Sequence, residues 1–316
     1  MNIRSFVVGV DGSVPSRAAL RWAVARSRER GAGVVLVHIA DDEWDTIGTS
    51  MIDEIDEQSG ALLARETAYA RSLADDVRVT SELRSGSPMA ELASFDAPGT
   101  MLVVGTHKTG FHYGRALGSR SLQLVNLVTG SVAVIPESAS QLRRGVVVGV
   151  DDAPAGRAAV ELAVDMASVR GCELVAVRSS GVPVGMDLDH DDERRDWQLR
   201  RDDQAREVLA RAVARARQRQ PHVIIRSRIV HRPAGAVLNE LASKGELLVI
   251  GDSRRPNGRL GSLGAVAYEV LLNLSSPTIV VHAPVAAEDT PAGMSREPAR
   301  LGAAARSRGL DSRTGL

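Results

Sequence analysis

A single cysteine, Cys172, stands among 316 residues. That excludes an intramolecular disulfide and a cysteine-based zinc cluster. Aromatic residues make up only 3%, so a core must be built from Val, Leu, Ile and Ala, and the 44% hydrophobic content supplies them. Charge of one sign is missing too: 39 Lys and Arg face 39 Asp and Glu. A balanced chain has no general attraction for nucleic acid or for an anionic membrane surface. No apolar run approaches the roughly 18 residues that span a bilayer, and the first, residues 3–10, is too short for a secretory leader. Neither G-x-x-x-x-G-K-[ST] nor G-x-S-x-G occurs, so two common phosphate and nucleophile signatures are absent. These absences lead to the expectation of a soluble cytoplasmic protein, without membrane or nucleic acid as partner, that is not an enzyme.

What is present is a duplication. Residues 6–40 read FVVGVDGSVPSRAALRWAVARSRERGAGVVLVHIA, and residues 146–180 read VVVGVDDAPAGRAAVELAVDMASVRGCELVAVRSS. Val10-Asp11 match Val150-Asp151, and Gly31 matches Gly171, at an offset of 140. Further on, residues 102–105 (LVVG) match 248–251 (LVIG), and 132–135 (VAVI) match 278–281 (TIVV), at 146. Two copies of this length indicate two like domains rather than a solenoid, which needs three or more short repeats. The expected domains cover residues 1–137 and 145–284, with a short polar linker at 138–144. Beyond 284 the chain loses apolar periodicity and is rich in Ala, Gly, Ser and Arg, so 285–316 is expected to be a disordered tail.

Each copy alternates strand and helix patterns. In the first, an apolar run at 3–10 precedes a helical pattern at 16–30 that Gly31 stops. Strands follow at 34–39, 77–83, 100–104 and 131–135, and helices at 51–73, 88–95 and 119–128. In the second, residues 187–220 are highly charged, with a narrow apolar stripe of Leu209, Ala212, Val213 and Ala216. That reads as a solvated amphipathic helix. Strands apolar on both faces and separated by helices indicate a parallel sheet covered on both sides.

In such a sheet a ligand binds beyond the carboxyl ends of the strands, where the strand order reverses. The loops after the first and fourth strands hold the Gly, Ser and Asp residues. Asp11 is a fixed acceptor suited to a ribose. Gly105 permits close backbone approach. Gly118-Ser119 place free N–H groups and a hydroxyl at a helix N-terminus, where a phosphate gains from donors and dipole. Lys108 and Arg115 add positive charge. The plainer alternative is that Asp11 and Ser119 only cap their helices. Trp22 is expected to pack against the sheet or the other domain, Cys172 to be a small buried residue, and His38 to be core-edge packing.

Three stretches carry a family resemblance: FVVGVDGSVPSRAALRWA, the GSP of residues 86–88 before a helix, and VVGTHKTGFHYGRALGSRSLQL at 103–124. Each copy resembles a universal stress protein domain, and the chain is similar to the tandem actinobacterial type. The resemblance implies an α/β fold of two Rossmann-like (adenine nucleotide alpha hydrolase-like) domains, each a five-stranded parallel sheet of order 3-2-1-4-5 with helices on both faces. It implies ATP or another adenine nucleotide as ligand, with magnesium as companion ion, in a stress-response or signalling role. It also implies paired domains, supplied here within one chain, with a homodimer as a further assembly. In ATP-binding members the phosphate loop reads glycine, two residues, glycine, nine residues, then glycine with serine or threonine. Gly105 matches the first position and Gly118-Ser119 the last, while Lys108 replaces the second glycine. By the same match Asp11 meets the ribose or phosphate region, Ile39 lies beside the adenine, and Ser121 is a further phosphate donor. His107 and His112 are the nearby candidates for a general base. In the second copy Arg254 replaces the second glycine, Asp152 replaces Gly12, and the final pair reads Gly264-Ala265. Nucleotide is therefore expected to prefer the first copy. A nucleotide-free scaffold and a slow ATP hydrolase stand as the alternatives.

Overall fold

The computed structural model of the chain describes residues 2–41, 49–106, 111–112, 115–116, 119–137, 144–180, 191–252 and 263–282. The expected linker, except for Arg144, and the tail at 285–316 lie outside the described residues, as do His107, Lys108 and Gly118.

The first half runs β1 (Ser5–Gly9), α1 (Val14–Arg30), β2 (Gly33–Ala40), α2 (Thr49–Leu73), β3 (Val79–Ser85), α3 (Pro88–Ala93) and β4 (Thr100–Thr106). A short antiparallel pair follows, β5 (Phe111–His112) with β6 (Arg115–Ala116), then α4 (Ser119–Leu127) and β7 (Ser131–Pro136). Among the described residues the second half repeats the rest of the plan: β8 (Val146–Gly149), α5 (Pro154–Arg170), β9 (Leu174–Ser179), α6 (Asp191–Arg219), β10 (Ile225–Val230), α7 (Ala234–Ala242), β11 (Leu247–Asp252), α8 (Ala265–Leu272) and β12 (Thr278–His282).

The local reasons are those the sequence carries. Ser13 is the N-cap of α1, its hydroxyl accepting from Ser16 N at 3.3 Å, and Pro15 sits in the first turn where its missing N–H is harmless. Gly31 ends α1 at φ 63° and Gly171 ends α5 at φ 58°, the left-handed cap that favours glycine. In α6 the residues Ala205, Val208, Leu209, Ala212 and Ala216 are buried, so the narrow stripe faces the sheet and the charges face water. In α2, Leu73 falls on the exposed side instead of the core. Ser59, Glu66 and Thr67 are buried there, which a search for apolar periodicity misses.

Ten strands form one sheet, in the order β10-β9-β8-β11-β12-β7-β4-β1-β2-β3. Each half therefore has the order 3-2-1-4-5, parallel throughout. The halves join where β12 pairs antiparallel with β7. Ala133 faces Ile279 in that register, and the two are equivalents at the 146 offset, so a pseudo-twofold axis passes between them. Alternation along each strand sorts the core into two layers. Phe6, Val8, Met101 and Val103 join Ala133 and Ile279 under α1, α2, α5 and α6. Val7, Leu102, Val104, Val132 and Val280 join the side chains of α3, α4, α7 and α8. Trp22 packs edge-on against Phe6, with ring centroids 6.1 Å apart, as expected. Cys172 is a correction: it is only half-buried and packs against the first layer.

An ion network also crosses between the halves. Arg170, at the end of α5, donates twice to Glu246 (3.1 and 2.9 Å) and bridges to Glu29 at the end of α1. Its two carboxylate partners hold its guanidinium more firmly protonated than usual, against the opposing effect of burial. No described helix is long and apolar enough to cross a membrane.

Candidate functional site

The strand order reverses between β1 and β4 in the first half and between β8 and β11 in the second. A cleft opens at the carboxyl ends of the strands in each place, as the topology dictates.

The first cleft has a polar wall and an apolar wall. Asp11, Ser13 and Ser16 line it from the β1–α1 connection, and Arg120 and Ser121 from the first turn of α4. Ile39 at the end of β2, with Met89 and Leu92 of α3, forms the apolar side. The structure thus brings together Asp11, Ile39, Gly105 and Ser121, and Ser119 is the first residue of α4.

Asp11 does not cap α1; Ser13 does. The Asp11 carboxylate accepts from Ser13 N at 2.9 Å. Partial desolvation raises its pKa, but hydrogen bonds from Ser13 and Ser16 and the charge of Arg120 outweigh this, so it is held below the usual carboxylate value. The cleft therefore presents a firmly ionised carboxylate facing a guanidinium. His38 is more than edge packing: its Nδ1 lies 2.7 Å from the carbonyl oxygen of Val10. A carbonyl only accepts, so Nδ1 carries the proton and Nε2 is left as the other ring atom.

Gly105 has a packing reason that the sequence does not show. A Cβ there would lie 2.2 Å from the carbonyl carbon and oxygen of Pro15 and 2.6 Å from Ser16 N. Its absence lets the first turn of α1 press against β4, so helix–strand packing requires glycine here, at a residue that also lines the cleft. Gly251 repeats this against Ala155 and Gly156, at 2.5–2.7 Å. The glycine that opens the loop motif is a packing residue in both halves.

Sequence reasoning missed Arg120, Ser13, Ser16 and Met89. Arg120 sits between Ser119 and Ser121 in the loop motif, and its helical position was the available signal. Ser13 and Ser16 were readable as cap residues but not as cleft lining.

The second cleft is not a collapsed copy. Its volume is about 230 Å³ against about 160 Å³ for the first. Its lining has changed: Arg178 stands at the place of His38, Ser179 at Ile39, and Val266 at Arg120. Among the described residues no group of three His, Cys, Asp or Glu is placed to hold a metal ion.

A family model described as "Universal stress protein family" matches residues 2–136 and again 143–282. A universal stress protein of Mycobacterium tuberculosis is 31% identical over 306 residues, covering 88% of this chain and 95% of that one. One from Mycolicibacterium smegmatis is 28% identical over 291 residues, covering 87% and 96%. Among solved structures, a universal stress protein from Archaeoglobus fulgidus superposes with a TM-score of 0.63 over 88% of this chain and 96% of its own, at 14% identity, a likeness of fold alone. With two successive matches that together span most of its length, the chain belongs to the universal stress protein family, as a tandem of two such domains.

Proposed function

We propose that the first cleft binds an adenine nucleotide and that the protein is a nucleotide-responsive stress or signalling module rather than an enzyme. The observation that carries this is the division of the cleft. Ile39, Met89 and Leu92 make an apolar side at one end, and Asp11, Arg120 and Ser121 make a polar side at the other. A nucleotide has the same division, a flat base with an apolar face and a charged phosphate tail joined by a ribose. Arg120 and Ser121 lie in the first turn of α4, where the helix dipole and free N–H groups favour phosphate. Asp11, kept ionised, suits the ribose hydroxyls or the magnesium that accompanies ATP. Nucleotide is proposed to prefer this cleft over the second, which lacks counterparts of Ile39, Arg120 and Ser121. The domains are proposed to act as one rigid pair through β7 and β12.

The test is calorimetric titration of the full chain with ATP, ADP and cyclic AMP, with and without magnesium, on wild type, Asp11→Ala, Arg120→Gln and Lys108→Gly. Saturable binding weakened at least about tenfold, or ~1.4 kcal/mol, in the first two variants supports the reading. Absence of heat with all three nucleotides on the wild type sinks it. Tighter binding by Lys108→Gly marks Lys108 as an obstruction, and weaker binding marks it as a ligand.

A further inference from the structure

The second cleft is a different site, not a weaker copy of the first. The two halves share one strand order and correspond at offsets of 140 and then 146, so each exchange of lining can be read as a change of ligand chemistry. His38 and Arg178 occupy one position at the ends of β2 and β9. His38 reaches the carbonyl of Val10, and Arg178 Nη1 donates to the carbonyl of Val150 at 2.9 Å. The same backbone anchor therefore holds a full cation in the second half. Arg178 is half-buried in the cleft, and it has no carboxylate partner among the described residues.

The opposite wall has lost its charge. Arg120 and Ser121 of α4 become Val266 and Ala267 of α8, and Val266 lines the cleft. On the base side of the first cleft, Ile39 becomes Ser179, whose hydroxyl donates to the carbonyl of Arg232 at 2.7 Å, and Met89 becomes Gly235. The space over Gly235 holds the Glu269 carboxylate, 2.5 Å from where a Cβ would stand, so the N-terminus of α7 already has an anion of this chain beside it. Asp151, the other acid of the cleft, accepts from Ala153 N at 3.1 Å and lies against Gly156. The lining has thus changed at two places: a cation stands at the β9 end, and Val266 makes the α8 wall apolar, while Leu238 and Ile250 keep the apolar places of Leu92 and Val104.

We propose that this cleft binds a small organic carboxylate with a short apolar body. The carboxylate pairs with the fork of Arg178, whose remaining N–H groups suit two oxygens side by side, and the apolar body lies toward Val266. A phosphate tail has no counterpart of Arg120 and Ser121 to meet, and a purine has no Ile39 or Met89 against which to lie. The site is independent of whether nucleotide occupies the first cleft.

The test uses the full chain, with sodium butyrate and sodium benzoate as probes, and with sodium phosphate and ATP as comparison ligands at matched ionic strength. Binding is followed by calorimetry and by amide chemical-shift changes. The expected result is saturable binding of at least one carboxylate, with shifts confined to the ends of β9 and β11 and the start of α8. It should weaken at least tenfold in Arg178→Gln and survive in part in Arg178→Lys. Because Arg178 also holds the Val150 carbonyl, Val266→Asp is the second variant. It introduces a charge at an exposed position and should abolish carboxylate binding while leaving the circular dichroism spectrum unchanged. Arg120→Gln should leave it intact. No saturable binding of either carboxylate overturns the proposal. So does binding unaltered by Arg178→Gln and Val266→Asp, or preferential shifts at this cleft by phosphate or ATP.

Discussion

Replacing Gly105 by alanine separates two accounts of the most recognisable residue in the loop motif. If glycine is there so that a phosphate can approach, Gly105→Ala should weaken nucleotide binding and leave the fold alone. The structure argues otherwise. The new Cβ would sit 2.2 Å from the Pro15 carbonyl and 2.6 Å from Ser16 N, whereas non-bonded heavy atoms rest about 3.5–4.0 Å apart. The first turn of α1 must then retreat by more than about 1 Å. The obstruction is backbone, so no rotamer change relieves it. Overpacking costs about 1–3 kcal/mol, and a rigid obstacle puts this change near the upper value. At about 2–4 °C per kcal/mol for a domain of this size, the melting temperature should fall by roughly 6–12 °C. Gly251→Ala should behave alike, since its Cβ would meet Ala155 and Gly156 at 2.5–2.7 Å. Gly60→Ala is the control. Gly60 lies within α2 with nothing within 4 Å of an added Cβ, so it should gain about 0.5–1 kcal/mol from helix propensity. Thermal unfolding followed by circular dichroism, with ATP titration of the same samples, reads both quantities. A Gly105→Ala protein that melts with the wild type refutes the packing account.

Glu66 is fully buried as a side chain and accepts three hydrogen bonds from Arg17, with a fourth from Arg65. Those from Arg17 lower its pKa most, burial opposes them, and Arg65 adds to them. A depressed carboxylate contributes stability that is complete above its ordinary value of 4.5 and is lost as pH falls through the folded value. Glu66→Gln should therefore cost about 1.5–2 kcal/mol at pH 7, and the two unfolding curves should converge on the acid side; a difference independent of pH contradicts this. Arg170→Ala strips the partner from buried Glu246 and cuts the tie to Glu29. It should cost about 1–3 kcal/mol in urea unfolding, and a cost near zero would show the network to be surface ornament. Ser13→Ala removes the α1 cap and should cost about 0.5–2 kcal/mol. Because the Ser13 hydroxyl also helps lower the pKa of Asp11, nucleotide affinity should fall with it, although the Ser13 N–H bond to Asp11 remains; a stability loss with unchanged affinity would detach the cap from the site.

The repeat and its alternating elements were legible because they rest on local signals: Val-rich runs, Gly31 and Gly171 as stops, Pro15 and Pro88 as starts. The site was less legible, because its residues come from connections whose neighbours depend on the fold. Gly105 shows what a motif leaves out: one reason for the glycine, its contact with Pro15, lies 90 positions away in the chain. Buried Glu66 shows the complementary failure, where a charge inside a helix pattern reads as solvent-facing until its arginine is placed. The drift from an offset of 140 to 146 carries a further lesson. β2 and β9 still correspond at 140, while the ends of α2 and α6, at Leu73 and Arg219, correspond at 146. The six extra residues therefore enter between β9 and the body of α6. Four of them begin α6 earlier than α2, at Asp191, as about one added turn. The insertion thus follows Arg178 and Ser179 closely in the chain and leaves the β7–β12 pairing untouched. The copies differ in the lining of their clefts, while the antiparallel pair that unites the sheet joins equivalent residues. That distribution fits the two different ligands proposed for the two clefts.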